Sequence, residues 1–247
     1  MRARGRQPPA GALLGGVFYY GDGDALVGVD AATGESRHRY TYSGYTGLSG
    51  PVAAGGKIAM LARVRPEPVP YRQALFLLPP DLTTSERVLT TRSYVPTAGI
   101  AAGGDIVAVW GHEEVWAVDA RTGRTVLPRR KLALSEEAVG VAGRTVLTSG
   151  GAKGRLNGYD VRTGRRAWSV DTASGGDVTP PTVDVEGGRV LTIGADIAIV
   201  DPARGRVTFR VRASGRRAAG PGTYGGGAAT AAGHLVTYSL DGLTGYR

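Results

Sequence analysis

LNGYDVRTGRRAW, residues Leu156 to Trp168, is a phrase that this chain writes repeatedly. VWAVDARTGRTVL runs from Val115 to Leu127, IAIVDPARGRVTF from Ile197 to Phe209, and LVGVDAATGESRH from Leu26 to His38. Anchored on the aspartate of each phrase, Asp119, Asp160 and Asp201 stand 41 residues apart. A fixed period of about 40 residues marks a unit that cannot bury its apolar faces alone and stacks on copies of itself.

The unit that ends at Trp168 has the local periods of strands. Arg144 to Thr148 reads as a strand, Gly150 to Gly154 as a glycine-rich turn, Arg155 to Asp160 as a strand and Arg165 to Val170 as the last. A fourth, shorter strand is expected ahead of these, around Ala138 to Val141. No run has the length and period of a helix. Four short antiparallel strands per unit predict an all-β protein, a β-propeller of four-stranded blades, WD40-like in plan.

The turn within the phrase has a physical role. Asp160, at a strand end, can accept hydrogen bonds from amides two or three residues later, and Gly164 can adopt the left-handed conformation that starts the return strand. Asp30 with Gly34 and Asp119 with Gly123 repeat the arrangement, and Asp201 with Gly205 keeps it with Arg204 in place of the threonine. These aspartates read as turn residues rather than catalysts. Two weaker copies complete the series: Leu75 to Leu89, with Pro79 near the aspartate position, and Leu243 to Arg247, where LTGYR matches LNGYD. The count is six blades, the last incomplete. Residues 12–247 are expected to form a single propeller domain, behind a basic N-terminal segment, 1–11, that is disordered or loosely attached.

VWAVDARTGRTVL and LNGYDVRTGRRAW resemble the repeats of quinoprotein-like (PQQ-type) propellers, which also occur in the outer-membrane assembly lipoproteins that scaffold β-barrel insertion. The resemblance covers about Gly16 to Arg247. It implies a tryptophan on the last strand of each unit that locks neighbouring blades. Trp168 keeps it, while the matching positions carry His38, Leu127 and Phe209, so looser packing is expected there. The calcium site and cysteines of the longer quinone-dependent dehydrogenases have no counterpart in this sequence, and no cofactor is expected.

Composition bounds the remaining readings. The chain of 247 residues contains 40 glycines and no cysteine, which excludes disulfides, thiol catalysis and thiolate metal sites. Its formal charge of +9 comes almost wholly from arginine, since Lys57, Lys131 and Lys153 are the lysines. There is no apolar run of roughly 18 residues to span a membrane. The N-terminus lacks an apolar leader, so the expectation is a soluble chain, cytoplasmic if this start is genuine and exported if an upstream targeting segment is missing.

No residue cluster specifies a reaction. His38, His112 and His234 lie in different units, without metal-ligand spacing. Asp22, Asp24 and Asp30 alternate as calcium ligands would but lack the later ligands of a calcium loop. Gly150 to Arg155 lacks the phosphate-loop order, Gly44 to Gly50 lacks the nucleophile-elbow pattern, and the pairs Glu113–Glu114 and Glu136–Glu137 have no partner carboxylate assigned. Surface remains. Residues Ala62 to Gln73 interrupt the second unit where other units use a short hairpin, and insertions on repeat scaffolds often carry binding. Arg63, Arg65, Tyr71 and Arg72 are the candidate partner-binding residues there, joined by Arg129 and Arg130 of the densest basic run. The expected function is a non-catalytic scaffold that binds a protein or peptide through loops on one face. The alternatives are an arginine-mediated binder of nucleic acid or another polyanion and an enzyme with a channel site.

Overall fold

The computed structural model describes residues 11–64, 71–93, 99–111, 114–132, 136–150, 155–172, 182–186, 189–193, 196–212, 227–231, 234–239 and 242–246. Among them there is no helix, and so none long and apolar enough to cross a membrane. The described strands form six antiparallel sheets, each a meander in chain order. β1 (Gly11–Leu14), β2 (Val17–Asp22), β3 (Ala25–Asp30) and β4 (Ser36–Thr41) make the first. β5 (Tyr45–Ala54), β6 (Lys57–Val64), β7 (Tyr71–Leu78) and β8 (Glu86–Ser93) make the second, and β9 (Gly99–Gly103), β10 (Ile106–Gly111), β11 (Glu114–Asp119) and β12 (Thr125–Lys131) the third. The fourth holds β13 (Glu136–Ala142), β14 (Thr145–Gly150), β15 (Arg155–Asp160) and β16 (Arg166–Asp171), and the fifth β17 (Thr182–Glu186), β18 (Arg189–Ile193), β19 (Asp196–Asp201) and β20 (Arg206–Arg212). β21 (Gly227–Ala231), β22 (His234–Ser239) and β23 (Gly242–Tyr246) form a three-stranded sixth.

β15 has the expected bounds, and β14 and β16 lie within two residues of theirs. One expectation is corrected. The leading strand is not always the shortest of its sheet: β13 has 7 residues against 6 in β14, and β5 has 10. Bulges explain the extra length, one between Ala138 and Gly140 and two in β5. Residues 1–10, 151–154 and 247, on which other expectations fell, lie outside the described residues.

The chain divides into two compact units, Met1–Arg129 and Arg130–Arg247. In the first, alternation along a strand feeds two cores. Ile58, Met60 and Ala62 of β6, with Ala74, Phe76 and Leu78 of β7, pack against Val17, Tyr19 and Leu26 of the first sheet. The intervening Ala59, Leu61, Leu75 and Leu77 pack against Val107, Val109 and Val118 of the third. In the second unit, Leu147 and Leu156 pack against Val190 and Val200 of the fifth sheet. Within each unit the leading strands of successive sheets touch: β1 with β5, β5 with β9, β13 with β17 and β17 with β21.

The repeated turn is built as its residues predict. Asp160 Oδ1 accepts the Thr163 amide at 2.7 Å, and the Gly164 amide returns to the Asp160 carbonyl at 2.8 Å. Asp30 and Asp119 repeat both bonds, and Asp201 keeps the glycine bond while its Oδ1 accepts the Ala203 amide, two residues on. Gly34, Gly123, Gly164 and Gly205 close these turns with φ between 62° and 75°. The backbone amides hold all four carboxyls below the usual carboxylate range.

The second sheet solves the same turn differently. In each described pairing of third and fourth strands a bulge falls one residue before the aspartate, as between Gly158 and Tyr159 or Ile199 and Val200. The bulge in β7 lies between Leu75 and Phe76, which places Leu77 at the aspartate's position and Pro79 two residues past it. Asp81 then caps the longer turn through the Thr83 amide and hydroxyl, and Leu82 adopts φ 55°.

Trp168 joins the fourth and fifth sheets. Its indole N–H donates to the Pro202 carbonyl at 2.8 Å. The ring lies across two glycines: a Cβ on Gly158, opposite it on β15, or on Gly205, in the turn of the fifth sheet, would collide with it. At the first junction, where His38 replaces the tryptophan, the slack expected from the sequence is taken up by two tyrosines. Tyr19 donates to the Pro80 carbonyl, and the Tyr40 hydroxyl pairs with Ser85, each at 2.6 Å.

Two outcomes follow. Trp168→Ala is expected to cost about 3 kcal/mol and Gly158→Ala ~2 kcal/mol by overpacking, but the double variant should cost little more than Trp168→Ala alone, because the added methyl then fills vacated space. Urea unfolding followed by circular dichroism measures this coupling, and additive costs would refute the contact. The second concerns acid. Carboxyls whose folded pKa is lowered add stability that is present above the unfolded value of about 3.9 and is lost as pH falls through the lower folded value. Replacing Asp30, Asp119, Asp160 and Asp201 by asparagine, whose amide oxygen still accepts the turn bonds, should shrink the drop in Tm between about pH 6 and about pH 2.5.

Candidate functional site

Connectivity gives each sheet two unlike ends. The short hairpins and the aspartate turns lie at one end, where Val161 N–H reaches Arg144 O, Ala120 N–H reaches Asp105 O and Ala31 N–H reaches Gly16 O. The connections at the other end range from residues 23–24 to residues 172–181 and 213–226. The insertion expected to bind a partner leaves the second sheet at this second, loop end.

The structure brings part of the candidate set together. Arg63 of β6 is half-buried and engaged within the chain, and it stands opposite Gln73 of β7. Arg72 is exposed and stands opposite Arg92 of β8, and Tyr71 stands opposite Ser93. Arg65 and the Tyr71 side chain lie outside the described residues. Gln73 is 2% exposed, and its Oε1 has no hydrogen-bond partner among the described residues. Arg63 and Gln73 therefore share one face of the sheet beside residues 65–70, and Arg72, the neighbour of Gln73, falls on the other.

Arg129 and Arg130 sit on another sheet and are committed within their own chain. Arg129 donates to Glu114 through Nε at 2.8 Å and through Nη2, with its guanidinium 6.0 Å from the Trp116 ring centre. Arg130 donates to the Gly164 carbonyl and lies 4.6 Å from the Tyr159 ring centre, in cation–π range.

Sequence reasoning missed a polar cluster in the fourth sheet. Glu136, which opens β13, accepts from Thr148 Oγ1, from Asn157 Nδ2 at 2.9 Å and from the Tyr159 hydroxyl at 2.9 Å. Thr148, Asn157 and Tyr159 are buried. Burial first, then the hydrogen bond and charge of Glu136, push the Tyr159 phenol above its ordinary value. A phenol held protonated against a carboxylate saturated by three donors is a structural hub rather than an acid–base pair. The signal for it was Asn157, which stands in LNGYD where the other phrases have Val27, Trp116 and Ala198.

Other candidates fall on separate elements. His38 lies in β4, His234 opens β22, and His112 falls outside the described residues, as do residues 151–154 and Glu113. Among the described residues no group of three histidines or carboxylates is placed to hold a metal ion. Asp22 pairs with Arg39 at 3.1 Å across the first sheet, and Asp30 caps its turn.

Comparison with known proteins fits this architecture. In solved structures the chain is similar to the computationally designed Ika8 protein, with a TM-score of 0.64 at 12% identity over 96% of this chain and 70% of that one. It is also similar to BamB from Moraxella catarrhalis, with a TM-score of 0.54 at 18% identity over 95% and 72%. A chain of the mitotic checkpoint complex gives 0.58 at 11% identity over 97% and 76%. These likenesses establish the fold, a β-propeller. No curated protein matches the sequence. A family model matches residues 72–243, more than half of the chain, and by that match the chain belongs to the family described as outer membrane protein assembly factor BamB.

Proposed function

We propose that this propeller is a non-catalytic scaffold that holds a protein partner at the loop end of its sheets. The observation that carries the reading is the asymmetry of the sheets: turns of nearly constant build at one end, connections of widely varying length at the other. Variable loops on a rigid repeat frame are where binding concentrates. The family name speaks of assembly, and one similar chain is part of a multi-protein complex. Arg63, Arg65, Tyr71 and Arg72 are the first contacts, while Arg130, drawn to the Gly164 carbonyl of the turn end, takes no part. Guanidinium and phenol groups suit such a surface because they combine apolar area with directed donors. A scaffold role also accords with the polar hub at Glu136, whose donors are used up within the sheet.

Pull-down at moderate salt, against a variant with Arg63, Arg65 and Arg72 changed to serine, tests the reading. A discrete protein partner retained by the native chain should bind the variant at least ~10-fold more weakly, with the far-ultraviolet spectrum unchanged. Equal retention by both would place the partner elsewhere.

A further inference from the structure

The arginines that matter for a second surface lie at the opposite end of the sheets. At the turn end of the fourth sheet stand Arg144, in the β13–β14 hairpin, and Arg162, Arg165 and Arg166, around the Asp160 turn. The turn end of the fifth sheet adds Arg189 and Arg206. All six are exposed, and none makes a side-chain hydrogen bond or ion pair among the described residues. Trp168, bonded to Pro202 and lying against Gly205, brings these two turn ends side by side.

Carboxylates balance them only in part. Asp160 caps its turn and feels the charge of Arg162, and Asp201 is already paired with Arg204 at 3.1 Å. Glu186 stands opposite Arg189 in register. The corresponding turns of the first unit are more nearly paired: Lys57 pairs with Glu86, Arg121 with Asp105 and Arg37 with Asp30, and Arg124 is the exposed arginine left there without a side-chain partner among the described residues. Among the described residues, unpaired exposed arginines are thus most numerous at the turn end of the second unit.

We propose that the turn end of the second unit binds the phosphate backbone of duplex nucleic acid. The guanidinium fork matches two phosphate oxygens, and exposed arginines without internal partners are free to offer it. The turns 143–144, 161–165 and 202–205 contain no aromatic residue, so they lack both the stacking platform a single strand needs and the apolar anchor a protein interface or a membrane would use. A surface that offers charge alone fits a partner recognised by charge alone, without regard to base sequence.

The test measures binding of the full chain to two fluorescent duplexes of unrelated sequence across a salt series, beside poly-glutamate and phosphatidylglycerol vesicles. Both duplexes should bind equally, with affinity falling steeply as salt rises. The variant R162S/R166S/R206S should bind at least ~10-fold more weakly, with the slope of log K against log salt reduced by about 3. The charge-matched control R39S/R87S/R155S should keep the native slope, and matching Tm values confirm folding. Native affinity in the first variant, equal weakening in the control, or tighter binding of poly-glutamate or vesicles at the same salt would each overturn the proposal. A duplex affinity lost with R162S/R166S/R206S leaves the loop-end reading untouched, since that surface contains none of the three residues.

Discussion

A sheet that is apolar on both faces cannot exist alone, and this constraint organises the molecule. β6 and β7 are buried along most of their length, with odd and even residues serving different neighbours: Met60 and Phe76 one way, Leu61 and Leu75 the other. Such a strand reads as a continuous hydrophobic run in sequence, and its two faces are satisfied only when sheets stand on either side of it. The period of about 40 residues is the one-dimensional trace of that requirement.

Given stacked sheets, the junctions between them set precision, and the chain does not build them alike. The junction of the fourth and fifth sheets uses one indole over two glycines, while that of the first and second uses two phenolic hydroxyls on Pro80 and Ser85. Both satisfy a turn's exposed polar groups while filling the space between sheets. Tyr42, packed edge-on against Tyr40, carries a cost: its hydroxyl is buried with no hydrogen-bond partner among the described residues, and burial pushes its pKa far up.

Much of this was legible in the sequence because the signals are local. An aspartate at a strand end and a glycine four residues on dictate the turn by short-range geometry, so Asp30, Asp119, Asp160 and Asp201 were readable one phrase at a time. Leu77 was not, since its register depends on a bulge between Leu75 and Phe76 that apolar residues do not announce. The hub at Glu136 gathers groups from β13, β14 and β15, and only Asn157 hinted at it. Charge was the least legible feature. The sequence showed arginine everywhere, and Arg129 and Arg130, its densest run, proved to be engaged within the chain, whereas Arg162 and Arg206, 44 residues apart, lie at neighbouring turns.

Trp168 has one more consequence. The chain contains three tryptophans, and Trp110 and Trp116 both fall in the first unit. Residues Arg130–Arg247 therefore carry a single tryptophan, half-buried and hydrogen-bonded at the seam between two sheets. The difference between the emission of the native chain and that of Trp168→Phe isolates it from Trp110 and Trp116, so an optical signal that needs no label follows the second unit at the place where its sheets are joined.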